Sequence, residues 1–255
     1  MSGPRPLALV TGGARRVGRA IALELARRGC DVTITYRESA AEAEQTRLRI
    51  ESVAPGSRAR ALRCDLASAA EVEALAATMG REAGLSVLVH NASTYLPSPL
   101  AGLEGPRLAA DYHVNALAPA LLSARLAEAL GRSAVPGGGA IVAMADLHAL
   151  AEHGLPRPGY LSYAMSKAAL LEMTRSLARE LAPRVRVNAV APGVVAWPEE
   201  GPEAGADARA QYLRRVPLGR AGTPEEAARL VAFLALDATY MTGQVVRLDG
   251  GRSLR

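Results

Sequence analysis

The chain has 255 residues, 49% of them hydrophobic but only 4% aromatic, which suits one α/β domain with a core built mainly from Ala, Leu, Val and Gly. Its net charge of +5 is modest and its basic residues are scattered, so the composition argues against a nucleic-acid-binding protein. Because no apolar stretch is long enough to span a bilayer, and neither a signal-peptide pattern nor metal-ligand spacing is present, we expect a cytoplasmic enzyme that binds no metal, nucleic acid or membrane.

The first half of the chain alternates short apolar segments with segments of helical periodicity. The predicted elements are strand 7–10, helix 16–28, strand 31–36, helix 40–53, strand 59–63, a helix that begins near Ser68, and strand 87–90. This alternation predicts parallel strands joined by helical crossovers.

A turn rich in small residues, 11–18, joins the first strand to the first helix. Glycines at this place let the backbone approach a pyrophosphate at a helix N-terminus. The spacing departs from G-x-G-x-x-G, so the turn alone is also compatible with a purely structural role. We interpret it as a dinucleotide-binding loop, and its candidate cofactor-binding residues are Gly12, Arg15, Arg16, Val17 and Gly18.

The residues after the second and third strands bear on the choice of cofactor. In dinucleotide folds the end of the second strand meets the adenosine ribose, where an arginine accommodates a 2′-phosphate. Arg37 is the first polar residue there, with Arg16 and Ser39 as helpers, so we predict NADPH rather than NADH. The alternative for Arg37 is a solvated loop charge. After the third strand come Asp65 and Leu66, and Asp65 either binds the adenine amino group or caps the next helix.

The second half of the chain continues the same alternation. The predicted elements are helix 108–131, strand 140–144, a helix ended by Pro183, strand 185–191, a final helix from Pro224, and strand 244–248. The irregular stretch of about 194–218 predicts a substrate loop. With no repeat or linker in sight, we predict one doubly wound domain over residues 1–255, with a mostly parallel seven-stranded sheet.

The three asparagines of the chain, Asn91, Asn115 and Asn188, all lie next to predicted strand ends or in the helix that faces them. Asn91 and Ala92 directly follow the fourth strand. Ligands bind at the carboxyl ends of the strands in open α/β sheets, so we predict that Asn91 and Ala92 contact the cofactor.

Tyr163 and Lys167 lie four residues apart, which puts both side chains on one face of a helix. The chain has 30 Lys and Arg residues, and Lys167 is the only lysine among them, which indicates a position that needs an ammonium. At about 4 Å and an effective dielectric of about 20, its attraction for a phenolate is roughly 4 kcal/mol, enough to bring a phenol pKa from about 10 to near neutrality. Tyr163 then becomes a usable proton donor and acceptor. The alternative is an ordinary helix with an unrelated Tyr and Lys.

In their order and spacing, several motifs together resemble the short-chain dehydrogenase/reductase family over the whole chain. They are the turn 11–18, Asp65, Asn91-Ala92, Asn115, Tyr163-x-x-x-Lys167 and Pro192-Gly193. The resemblance implies nicotinamide-dependent hydride transfer on a Rossmann-like domain, usually in a homotetramer. It also implies that Tyr163 is the catalytic acid, that Lys167 binds the nicotinamide ribose, and that Asn115 holds a water in the proton relay. Pro192 and Gly193 are then cofactor-binding residues.

Asp146 stands after the fifth strand, where that family commonly has a serine. A serine hydroxyl donates a hydrogen bond to a substrate carbonyl, whereas a carboxylate repels that oxygen and suits N–H groups instead. The substitution therefore narrows the range of possible substrates. By having an aspartate at this position, the chain resembles the pteridine reductases. The alternative for Asp146 is a loop or capping aspartate, with the usual serine lost.

Three further segments share the resemblance to pteridine reductases: the turn T-G-x-x-x-R-x-G, residues 91–95 and residues 190–199. In that subfamily the pterin stacks between the nicotinamide and an aromatic ring, here matched by Tyr95, although Tyr95 could also be plain packing. Arg16 and Ser93 match positions that contact cofactor phosphate and pterin, and Trp197 is a further substrate-binding candidate. His148 and His153 are expected on the rim of the site.

The leading hypothesis is an NADPH-dependent reductase of a dihydropteridine or a dihydrofolate-like substrate, with Tyr163, Asp146 or a bound water as the proton source. The main enzyme alternative is a short-chain carbonyl reductase of the 3-oxoacyl-thioester or sugar-alcohol type. A third hypothesis is a binding protein that keeps the fold and cofactor without turnover. Tyr163, Lys167 and Asn115 argue against it, because such a protein has no need of a tuned phenol.

Overall fold

Seven parallel strands form the centre of the fold. The computed structural model of the protein describes residues 5–150, 158–199 and 204–254. The strands are β1 Leu7–Val10, β2 Asp31–Tyr36, β3 Ala59–Arg63, β4 Leu85–His90, β5 Gly139–Met144, β6 Val185–Pro192 and β7 Val245–Leu248. They lie in the order β3-β2-β1-β4-β5-β6-β7, and every adjacent pair is parallel. The predicted doubly wound sheet is confirmed, and in the described residues it is parallel throughout rather than mostly parallel.

Helices cover both faces of the sheet. They are α1 Arg16–Arg27, α2 Ala40–Val53, α3 Ala69–Gly80, α4 Gly105–Tyr112, α5 Ala118–Gly131, α6 Leu161–Glu180, α7 Ala206–Leu213 and α8 Pro224–Ala232. Helices α1, α2 and α8 pack in one apolar cluster, while α3 and α5 pack in another on the opposite face. Strand β1 shows why both faces are covered: Ala8 and Val10 belong to the first cluster, and Leu7 and Leu9 to the second.

The strand order fixes where a ligand can bind. From β1 the chain proceeds outward to β2 and β3, and it then returns to β4 on the other side of β1. Helices on the two sides of this reversal leave a crevice at the carboxyl ends of the strands, which is where open α/β folds bind ligands.

The helix predicted over 108–131 begins earlier and is interrupted. It starts at Gly105, and a π-helical segment, His113–Leu117, separates α4 from α5. Pro119 has no N–H to donate to the carbonyl of Asn115 four residues before it, so the regular helical bond is missing at this point. Asn115 therefore lies inside a widened turn rather than in a regular helix.

The predicted substrate loop, 194–218, is not irregular throughout. It contains the two-turn helix α7, which the scattered Pro and Gly residues of this region did not indicate. Residues 200–203 of the loop lie outside the described part of the chain. None of the helices that the structure describes is both long and apolar enough to cross a lipid bilayer.

Candidate active site

A cleft of about 720 Å³ runs along the carboxyl edge of the sheet. Most residues predicted from the sequence line it: Gly12, Arg15, Arg16, Val17, Gly18, Arg37, Ser39, Asp65, Leu66, Asn91, Ala92, Ser93, Tyr95, Asp146, Tyr163, Pro192 and Gly193. Three predicted residues do not line it. Asn115 and Lys167 are buried beneath its floor, and Trp197 lies behind another aromatic ring.

The glycine turn brings bare backbone to one end of the cleft. Gly12 has a φ of 64°, and a Cβ there would lie 2.9 Å from the Cα of Ala92. A Cβ on Gly18 would lie 2.1 Å from the carbonyl oxygen of Gly12. Because this clash is with the backbone, no movement of a side chain would relieve it. Asn91 Nδ2 donates to the carbonyls of Thr11 and Gly12 at 3.0 and 3.1 Å. The turn is thus a fixed cradle without side chains, and it fits a pyrophosphate at the start of α1.

Arg16 connects this turn to the substrate loop. Its guanidinium donates to the carbonyl oxygens of Trp197 at 2.7 Å and Ala196 at 3.3 Å, and it forms an ion pair with Glu199 at 3.1 Å. Arg16 has a φ of 53°, and among the described residues it is the one non-glycine residue with a positive φ. Its position at the junction of the two segments agrees with a contact to either cofactor or substrate.

The other end of the cleft carries the residues predicted to hold the adenosine. Arg37 is exposed, and its guanidinium lies 3.1 Å from Glu38, so its charge is shared before any phosphate binds. Asp65 lines the cleft and accepts from the backbone N–H of Ala67 at 3.0 Å. The N-cap of α3 is Ser68, so the alternative in which Asp65 caps that helix is wrong.

Tyr163 and Asp146 form the chemical centre of the site. Tyr163 lies in the first turn of α6 and is almost completely buried, and its Oη donates to Asp146 Oδ2 at 2.8 Å. The other carboxylate oxygen of Asp146 accepts from the backbone N–H of His148 at 2.7 Å. One carboxylate oxygen is thus fixed by the backbone, and the other is directed at the phenol.

Lys167 lies on the same face of α6, one turn after Tyr163. Its Nζ is 5.6 Å from the centre of the Tyr163 ring and donates to the carbonyl oxygen of Met144 at 2.8 Å. Burial lowers the pKa of Lys167 to about 8, and the carboxylate of Asp146 partly opposes this change. The sequence predicted a positive charge next to the phenol. The structure shows that a negative charge, the carboxylate of Asp146, is hydrogen-bonded to the phenol as well. The group in direct contact with the phenol is a carboxylate, which accepts the hydrogen bond of its O–H.

Asn115 holds the segment that follows β4. Its Nδ2 donates to the carbonyl of Thr94 at 3.1 Å and to Ser166 Oγ at 2.9 Å, and its Oδ1 accepts from the Thr94 N–H at 2.9 Å. Thr94 Oγ1 also donates to Asp111 Oδ1 at 2.6 Å, and Asp111 is fully buried. Sequence reasoning missed Asp111, because its partner is distant along the chain and no motif marks it. These bonds fix the backbone of the segment that carries Ser93.

Three tyrosine rings are in contact beside the cleft, and two of them, Tyr95 and Tyr163, line it. Tyr95 stacks on Tyr160 with ring centres 4.8 Å apart and planes at 9°, and it meets Tyr163 at 4.8 Å and 80°. Tyr160 was not predicted, although its place one helical turn before Tyr163 is a usable signal. The stacking holds the ring of Tyr95 at a fixed position beside the reactive phenol.

The opposite side of the cleft is closed by Tyr212 from α7, another residue that the sequence did not reveal. The Trp197 ring packs edge-on against Tyr212 at 5.5 Å, with the guanidinium of Arg209 5.3 Å above it. Trp197 is therefore one layer behind the cleft surface, and its predicted substrate contact stays a prediction. His148 lines the cleft, while His153 lies outside the described residues.

Comparisons with known proteins agree with this arrangement. The profile of the family described as enoyl-(acyl carrier protein) reductase matches residues 12–253. The 3-oxoacyl-[acyl-carrier-protein] reductase of Synechocystis sp. is 32% identical over 249 residues, which cover 96% of each chain. A blue fluorescent protein from a metagenomic library, solved in complex with NADPH, has a TM-score of 0.85 and 32% identity over 97% of each chain. A double mutant of a Serratia marcescens short-chain dehydrogenase/reductase has a TM-score of 0.86 and 34% identity over 97% of this chain and 98% of its own.

The family match spans nearly the whole chain, and it includes the glycine turn and the tyrosine that line the cleft and the lysine buried beside them. This chain belongs to the short-chain dehydrogenase/reductase family of oxidoreductases.

Proposed function

We propose that this chain is an NADPH-dependent reductase that transfers hydride to a ring C=N bond of a pteridine, either a dihydropteridine or dihydrofolate. The observation that carries the proposal is the direct hydrogen bond from Tyr163 Oη to Asp146 Oδ2. It places a carboxylate beside the proton donor, at the position where a carbonyl substrate needs a hydrogen-bond donor.

The residues of the cleft fit a nicotinamide cofactor. The side-chain-free turn at Gly12 and Gly18 fits the pyrophosphate, Asp65 the adenine, and Arg37 a 2′-phosphate. The NADPH complex of the metagenomic relative supports binding of this class of cofactor. When bound, the cofactor supplies the hydride.

The chain's own residues supply the proton and the orientation of the substrate. Tyr163 Oη donates to Asp146 Oδ2, and its O–H is the proton donor of the proposed reaction. Lys167 is the nearest buried cation, and it stabilises the phenolate that remains once the proton has left. Asp146 then accepts hydrogen bonds from N–H groups of the substrate, and Tyr95 offers its ring to a flat heterocycle.

Carbonyl reduction is the second candidate, and the comparisons favour it. The Synechocystis relative is named a 3-oxoacyl-[acyl-carrier-protein] reductase, and an oxo group is a carbonyl. None of the relatives described above is named for a pteridine. The proposal for pteridines therefore rests on Asp146 and its surroundings, and a panel of substrates separates the two candidates.

We also propose that the chain forms a homotetramer. Tyr112 and Met165 are exposed beside an apolar recess of about 360 Å³ on α4 and α6, and Phe233 is exposed after α8 on the other side of the sheet. Two separate apolar patches are what two different two-fold interfaces require. Light scattering should give a particle mass four times the chain mass of 26.6 kDa. Met165→Glu places a charge in one apolar patch and should therefore lower the particle mass. A monomer at micromolar concentration would contradict the proposal.

Substituting Tyr163 by Phe should lower turnover by about two to four orders of magnitude, because proton transfer contributes roughly that much to the rate. Binding of NADPH should remain nearly unchanged, since the ring is kept; fluorescence titration with NADPH provides this control. Near-normal turnover would remove Tyr163 from the mechanism.

Substituting Arg37 by Asp should shift the cofactor preference from NADPH toward NADH. The 2′-phosphate would lose a charge-assisted hydrogen bond worth about 1.5 to 3 kcal/mol and would meet an anion instead. The measurement is the ratio of kcat/KM for the two cofactors. Arg49→Asp is the matched control, because it makes the same charge change at an exposed position of α2 that does not line the cleft. An unchanged ratio for Arg37→Asp would place the phosphate elsewhere.

Substituting Asp146 by Ser decides between the two substrate classes. NADPH consumption is measured with dihydrobiopterin, dihydromonapterin and dihydrofolate, beside an acetoacetyl thioester. Activity on dihydropteridines should fall by at least about tenfold, the equivalent of one hydrogen bond of roughly 1.4 kcal/mol. Activity on the thioester should stay the same or rise, because the repelling charge has gone.

Asp207→Ser, at an exposed position of α7, is the control for this substitution and should change neither activity. Equal dihydropteridine rates in the wild type and Asp146→Ser would reduce Asp146 to a loop residue. Wild-type turnover of the thioester alone would establish carbonyl reduction instead.

A further inference from the structure

Tyr212 occupies a place in the cleft that no sequence motif assigns. It lies near the end of α7, and its side chain reaches across to the backbone that follows β6. A Cβ on Gly193 would lie 2.7 Å from Tyr212 Oη, so the phenol rests directly on this backbone. The position is open to a ligand on one side and supported by the main chain on the other.

The O–H of Tyr212 is not used as a donor in any hydrogen bond among the described residues. Its oxygen accepts from the backbone N–H of Val194 at 2.9 Å. A phenol can accept and donate at once, and within the described part of the chain its own proton has no acceptor. Burial raises the pKa of Tyr212, against the opposing effect of the bond from Val194 and of the Arg252 guanidinium. The group therefore stays protonated at neutral pH, and its O–H is available to a ligand.

Asp146 lines the same cleft, close enough for its negative charge to raise the pKa of Tyr212 as well. The two groups have opposite hydrogen-bonding character. The carboxylate can only accept, and the phenol has one hydrogen to donate. A ligand that satisfies both must present an N–H to Asp146 and a lone pair to Tyr212.

We infer that Tyr212 is a substrate-binding and specificity-determining residue, whose hydroxyl donates to a ring nitrogen or oxygen of the substrate while Asp146 accepts from an N–H of the same ring system. The inference rests on the proposed function and deepens it. The substrate class it names is a flat heterocycle that carries N–H donors and lone-pair acceptors together. A simple 3-oxo compound offers only acceptors and cannot satisfy both residues.

The role of the Tyr212 hydroxyl can be tested separately from the packing of its ring. Trp197 meets the ring edge-on at 5.5 Å, and the guanidinium of Arg252 lies 4.7 Å from its centre. The Trp197 contact uses the ring alone, whereas Arg252 also hydrogen-bonds the hydroxyl. Tyr212→Phe keeps both ring contacts and removes one oxygen atom, so Val194 and Arg252 each lose one hydrogen-bond partner.

The test is steady-state kinetics of Tyr212→Phe with dihydrobiopterin and with an acetoacetyl thioester, together with the Kd for NADPH. We expect the KM for dihydrobiopterin to rise about tenfold, which corresponds to the loss of one hydrogen bond. Its kcat should stay within about threefold, and the KM of any thioester turnover and the Kd for NADPH should not change. Tyr240→Phe, at a fully exposed position, is the matched control and should alter none of these values.

If Tyr212→Phe only loosened the loop that carries α7, the binding of every ligand would become weaker. An equal rise in the KM of both substrates and in the Kd for NADPH would show that Tyr212 is structural and would overturn the inference, as would an unchanged KM for dihydrobiopterin. Failure of the proposed function appears in the wild type, as absence of dihydropteridine turnover, and it overturns both. If the wild type turns over dihydropteridines and Tyr212→Phe has the same KM for dihydrobiopterin, only the inference about Tyr212 is overturned.

Discussion

The uniform direction of the seven strands is the constraint on which the site depends. Because all strands are parallel, their carboxyl ends meet at one edge, and the residues that follow them converge there without any local signal that would bring them together. The glycine turn after β1, Asn91 after β4, Asp146 after β5 and Gly193 after β6 line one cleft for this reason. The helices then need to supply only the groups that the strand ends lack, and α6 provides Tyr163.

The electrostatics of the centre follow from the place of each charge. Lys167 is buried and bonded to the Met144 carbonyl, and its Nζ is 5.6 Å from the centre of the Tyr163 ring, whereas Asp146 is bonded to the phenol directly. Burial lowers the pKa of Lys167, and the carboxylate of Asp146 partly opposes this change. In the proposed mechanism the carboxylate accepts the hydrogen bond of the phenol, and the lysine is the buried cation beside the ring.

Local and periodic features of the sequence were enough to predict the fold and the glycine turn, whereas Ser93, Tyr95 and Pro192 were assigned through the resemblance to known families. Strand β1 is a continuous apolar run between turn residues, and the spacing of Tyr163 and Lys167 is one helical turn, so both could be predicted without knowledge of the fold. Tyr212, Asp111 and the stacked ring of Tyr160 were missed. The contacts of Tyr212 and Asp111 join different segments of the chain, and no periodicity reports such contacts. Tyr160 differs, since its place one helical turn before Tyr163 was a usable signal. The prediction for Trp197 shows the same limit, since an aromatic in the right segment still lies behind another ring.

Relatives at about a third identity and the local chemistry of Asp146 inform different parts of the function. Similarity over nearly the whole chain reflects the sheet, the cradle for the cofactor and the tyrosine with its lysine, and these determine the class of reaction. The group that meets the substrate in the proposed function is a single side chain, Asp146, and one substitution there hardly changes overall identity. A hydroxyl can donate to a carbonyl oxygen, but a carboxylate has no hydrogen to give and carries a charge that repels it. In the proposed function, the substrate therefore brings its own N–H to Asp146, a requirement that the names of the relatives do not express.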